Sequence, residues 1–120
     1  MKGGTNHWMT RILLIEEDAA MRALIHEWLN AAGYEVQAQA PQLVIASVAH
    51  LRGPGAMHLQ QLRNSFPMLP LLVLSGQLGH SLPHDSETAQ SLGVSALLAK
   101  PFARSELLAA IAKALGHGRP

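Results

Sequence analysis

Cysteine is absent from the sequence. That excludes disulfides, thiolate zinc sites and a thiol nucleophile, and it suits a reducing cytoplasm. Aromatic residues are scarce at 4%, so a core must be built from Leu, Ile, Val, Ala and Met. Charge is thin as well, with 14% Asp, Glu, Lys and Arg and a formal net charge of +1. The basic residues are scattered, which argues against the clustered Lys and Arg of a direct nucleic-acid footprint. No apolar run approaches the roughly 20 residues that span a bilayer. Residues 1–8 lack the apolar segment of a signal peptide. Internal repeats and low-complexity tracts are missing too.

What remains is enough for one domain. A chain of 120 residues, 48% of them hydrophobic, can bury a single core. Met9-Thr10-Arg11 reads as a natural start, leaving residues 1–8 as an extension or flexible N-terminus. The domain is expected over residues 9–116, with residues 117–120 a flexible C-terminus or linker stump.

Short continuous apolar runs read as buried parallel strands. Three are clear: Ile12 to Ile15, Gln42 to Val48, and Leu69 to Leu74. Residues 34–38 alternate like a short strand, and residues 95–99 supply a last one. Helical spacing of Met21, Leu24, Ile25, Trp28 and Leu29 predicts a helix over residues 18–32, capped by Asp18 and ended by Gly33. A second helix is expected over residues 56–64 with Met57, Leu59 and Leu62, after a turn at Gly53-Pro54-Gly55. A weak one covers residues 85–92. Ser105 is expected to cap a final helix reaching Leu115, with Leu107, Leu108, Ile111 and Leu115 inward. Strands alternating with helices predict an α/β, doubly wound parallel sheet.

Chemistry gathers at the strand ends. Glu16, Glu17 and Asp18 close the first strand, Ser47 the next long one, Ser75 the third, and Lys100-Pro101 the last. The carboxyl ends of strands are where open α/β sheets build their sites. Asp18 is better assigned to the helix cap. His80 and His84 stand four apart, but Pro83 intervenes and no third ligand is evident, so they read as loop histidines. Ser47 and Ser75 lack a glycine-flanked nucleophile elbow, which argues against a hydrolase.

Five pieces carry a resemblance: Ile12-Leu-Leu-Ile-Glu-Glu-Asp18, Ala31-Ala-Gly-Tyr-Glu-Val36, Pro41-Gln-Leu-Val-Ile-Ala-Ser47, Leu72-Val-Leu-Ser-Gly76, and Lys100-Pro-Phe102 followed by Glu106-Leu-Leu108. In order and at strand ends, from Arg11 to Leu115, they resemble the receiver domain of bacterial two-component response regulators. The resemblance implies the flavodoxin-like receiver fold. In that family an aspartate closing the third strand accepts a phosphoryl group from a histidine kinase. An acidic pair holds Mg²⁺, and a hydroxyl and a lysine bind the phosphoryl oxygens. By position Glu16 and Glu17 stand for the acidic pair, Ser75 for the hydroxyl, Lys100 for the lysine, and Pro101 for a proline often held cis.

The departures from that pattern decide the functional expectation. Ser47 occupies the acceptor position, and an unactivated hydroxyl is a weak nucleophile. His50, three residues on, is a poor candidate for the missing base. Leu97 stands where the family places an aromatic switch. With one carboxylate gone, Lys100 is expected to pair with a glutamate, leaving weak Mg²⁺ binding at Glu16 and Glu17 or none, and no other cofactor. The expected protein is an atypical receiver, cytoplasmic and not an enzyme. It would work by contact with a signalling protein or its own output domain, with a homodimer as an option, and with no nucleic acid, membrane or small-molecule substrate. The alternatives are a phosphorelay receiver with a non-standard acceptor, or the regulatory part of a longer protein.

One architectural departure is also legible. Residues 34–41 leave no room for the helix that the family places between its second and third strands. That helix, the family's second, is therefore expected to be missing. A parallel crossover of that length looked beyond the chain's reach, so four central strands with a lost or irregular edge are expected.

Overall fold

The computed structural model describes residues 9–37 and 39–116. The expected N-terminal extension and C-terminal stump lie outside the described residues, as does Ala38. The elements alternate as the apolar runs predict: β1 (Arg11–Ile15), α1 (Ala19–Ala31), β2 (Glu35–Val36), β3 (Leu43–Ser47), α2 (Pro54–Ser65), β4 (Leu71–Ser75), α3 (Glu87–Leu92), β5 (Ala96–Ala99) and α4 (Arg104–Ala114). All five strands are parallel, in the order β2-β1-β3-β4-β5. This is the flavodoxin-like, doubly wound receiver architecture.

Alternation along the strands divides the core into two layers. On one face Ile12, Leu43, Ile45, Leu72, Leu74 and Leu98 meet Ile25 and Leu29 of α1 and Leu107 and Ile111 of α4. On the other, Val44, Ala46, Val73 and Leu97 meet Leu59 of α2 and Ala89 of α3. Strands buried on both faces are the reason β3 and β4 read as unbroken apolar runs.

Among the described residues no helix stands between β2 and β3, as expected, but the edge strand is kept. β2 keeps two residues and pairs in parallel with Arg11 and Ile12, so the sheet has five strands rather than four. The reach argument failed because it assumed a full-length strand. The Gln37 amide bonds to the Ile12 carbonyl and the Gln42 amide to the Arg11 carbonyl. Both ends of the connector thus meet β1 at its first turn of ladder. Crossing two strand spacings needs about 10 Å, well within the roughly 20 Å that six residues span. Arg11 holds the connector: its Nε donates to the Ala40 carbonyl at 2.6 Å, and its amide donates to Gln42 Oε1 at 3.0 Å. Ala40 adopts a left-handed φ of 50° there, a local cost of about 1–2 kcal/mol.

Three smaller expectations are corrected. Leu24 and Met57 lie on the solvent sides of their helices, 39% and 65% exposed, because their neighbours Ile25, Leu29 and Leu59 already fill the apolar stripe. Helix α2 begins at Pro54, which suits a first helical position, so the Gly53-Pro54-Gly55 turn is its entry. Helix α4 begins one residue before Ser105, with Ala103 at the cap. There Glu106 Oε1 accepts the Ala103 amide at 2.8 Å, half of a capping box.

Candidate functional site

The parallel sheet brings all its strand carboxyl ends to one rim. Glu16 is the first residue beyond β1, Ser47 ends β3, Ser75 ends β4, and Lys100 follows β5. Lys100 reaches back across β4. Its Nζ donates to Glu16 Oε1 at 2.9 Å and to Ser47 Oγ at 2.6 Å. One ammonium therefore ties the ends of three strands together.

Glu16 is held from every side. Its Oε2 accepts the Asp18 amide at 3.1 Å, and its backbone carbonyl accepts from the Arg22 guanidinium at 2.7 Å. Its side chain is 4% exposed, against 23% for Lys100. Burial alone would push its carboxyl up. The Lys100 and Asp18 hydrogen bonds, the Lys100 charge and the Ser47 hydroxyl outweigh that and hold it below the ordinary glutamate value. Asp18 caps α1 as expected, its carboxylate accepting the Met21 amide at 2.9 Å.

The remaining expected residues stand apart from this cluster. Glu17 is exposed and makes no ion pair or side-chain hydrogen bond among the described residues. Ser75 is fully buried, its Oγ accepting the Gln77 amide at 3.2 Å. The Lys100–Pro101 bond is cis. His50 is exposed, and the Ser47 hydroxyl faces Lys100 instead. His80 and His84 are exposed loop residues. The Arg22 contact was not foreseen, and a lone arginine six residues beyond Glu16 carries no motif that would have announced it.

The donor set does not fit Mg²⁺. That ion needs near-octahedral oxygen coordination and usually one or two carboxylates. Both oxygens of Glu16 are already engaged. Among the described residues no three His, Cys, Asp or Glu side chains group together. The Lys100 ammonium lies between the Glu16 carboxylate and the Ser47 hydroxyl.

Comparison with known proteins bears on the fold and its relatives. No family model matches the chain. The response regulator MprA of Mycolicibacterium vanbaalenii is 30% identical over 127 aligned positions, covering 92% of this chain and 53% of that protein. The regulatory protein VirG of Rhizobium radiobacter is 29% identical, covering 89% of this chain and 44% of its own length. The chain thus spans about half the length of these curated relatives. Among solved structures, a receiver domain protein from Methanospirillum hungatei superposes with a TM-score of 0.74 at 20% identity, covering 90% of this chain and 94% of that one. The chemotaxis protein CheY4 of Vibrio cholerae gives 0.69 at 21%, covering 88% and 98%. Fold and similarity together support one class: a response-regulator receiver (CheY-like) domain of the kind found in two-component systems. No helix of the described residues is long and apolar enough to cross a membrane.

Proposed function

We propose that this domain is an atypical receiver that signals by protein–protein contact, without aspartyl phosphorylation. The observation that carries the reading is Ser47, which stands at the acceptor position with its Oγ 2.6 Å from Lys100 Nζ. A phosphoacceptor needs a carboxylate, or a hydroxyl with a base beside it. Lys100 cannot be that base. Its ammonium donates to both Glu16 and Ser47, and a donating ammonium has no lone pair with which to take a proton.

The same contacts argue against the metal step. Phosphoryl transfer relies on a cation that offsets charge on the transferring oxygens, and Glu16 is committed to Lys100. Glu17, the other half of the expected acidic pair, is exposed and stands apart from the Lys100 cluster among the described residues. The pocket is better described as a static polar brace than as a reaction site. Its partner would be a cytoplasmic signalling protein or an output domain of a longer chain, with self-association as a further option.

Beryllofluoride with Mg²⁺ mimics the phosphoryl group on an acceptor carboxylate. It is expected to leave the amide resonances around Glu16, Ser47 and Lys100 where they are. A saturable, Mg²⁺-dependent shift of those resonances would overturn the proposal.

A further inference from the structure

Between Ser75 and α3 the chain makes an eleven-residue excursion, residues 76–86, along the outer side of β5. Part of it is fastened there. The Leu82 amide donates to the Leu97 carbonyl at 2.8 Å, and the Leu97 amide donates back to Leu82 at 3.0 Å. The two residues form an isolated antiparallel bridge. The Ala99 amide donates to Ser81 Oγ at 2.9 Å. Leu78 and Leu82 pack at the margin of the apolar layer under α2 and α3.

We infer that residues 77–83 act as a strap that seals the edge of β5 and opens as a unit while the sheet stays folded. Sealing is needed because a bare strand edge presents unpaired backbone groups to other chains. Opening as a unit follows from how little holds the strap: three hydrogen bonds and two marginal leucines, with Gly76, Gln77, Gly79, His80 and Pro83 exposed. The β3 and β4 strands behind it are almost entirely buried. Local opening is drawn from regions with few buried contacts. Release would leave the Leu97 amide, the Leu97 carbonyl and the Ala99 amide without partners.

The strand carries its own control. Alternation makes the Leu97 and Ala99 amides face the strap, whereas Leu98 faces β4, and the Lys100 amide bonds to the Ser75 carbonyl at 2.9 Å. Native-state hydrogen exchange on the intact chain should show Leu97 and Ala99 exchanging at least about tenfold faster than Leu98 and Lys100, yet at least about tenfold slower than free amides. Ser81→Ala should speed exchange at Ala99 and leave Leu98 unchanged. Equal rates along β5 would mean the strap opens only with the whole domain, and free-amide rates at Leu97 would mean it does not close. Either result overturns the inference, as does a Ser81→Ala effect that reaches Leu98 equally.

Discussion

At the residue scale the site comes down to one ammonium and the carboxylate it faces. Lys100→Met would leave Glu16 buried with its amide partner but without its counter-charge. Breaking a fully buried pair costs about 3–5 kcal/mol. Lys100 is 23% exposed on its side chain, and solvent screening reduces this to about 2 kcal/mol, readable as a lower midpoint in urea. The variant should also raise the Glu16 pKa relative to the wild type, because burial, which pushes it up, would lose the Lys100 hydrogen bond and charge that oppose it. The acid limb of the stability curve follows from the same balance. The folded pKa of Glu16 is lowered from 4.5, so its contribution is fully present above about pH 4.5 and is lost as pH falls through the lower folded value. Glu16→Gln should flatten that part of the curve in acid-unfolding experiments. The candidate site was legible to this depth because its residue types sit at strand ends. That Lys100 would choose Glu16 over Glu17 was not, since it goes with the tertiary placement of the Glu16 carboxylate, whose Oε2 takes the Asp18 amide while Oε1 meets Lys100.

At the element scale, local pattern gave the right elements and tertiary contact set their limits. Helix α2 shows the difference at Gly55. Helix propensity alone says Gly55→Ala should stabilise by about 1 kcal/mol. A Cβ there would run into the backbone carbonyl of His50, which cannot swing aside as a side chain can. Overpacking of that kind costs about 1–3 kcal/mol, so thermal unfolding should show Gly55→Ala net destabilised. Gly93→Ala should also lose stability, because Gly93 holds φ +71° and the Arg63 guanidinium lies over it. Hydrophobic periodicity could not reveal either contact. The alternation of residues 34–38 did suggest β2, but it could not show that only Glu35 and Val36 would pair, in parallel with the start of β1. The missing second helix was visible, since a chain cannot hide a dozen residues. What the eye misjudged was how little connector a two-residue strand requires.

At the scale of the whole molecule, the five-stranded sheet explains why the polar cluster at the rim is held in place. The strand ends that form it are the ends of the core strands, so Glu16, Ser47 and Lys100 are held together by the same burial that folds the domain. Lys100 then adds a crosswise tie between β1, β3 and β5. On the proposed reading, such a domain would meet its partner without a phosphoryl group to select the contact surface. The most direct test is intact-protein mass spectrometry, with labile acyl phosphates trapped, after incubation with acetyl phosphate and Mg²⁺. Wild-type protein is predicted to gain no phosphoryl group, while Ser47→Asp, which returns a carboxylate to the end of β3, gains one. Phosphoryl mass on the wild-type chain, at Ser47 or at either glutamate, would contradict the account.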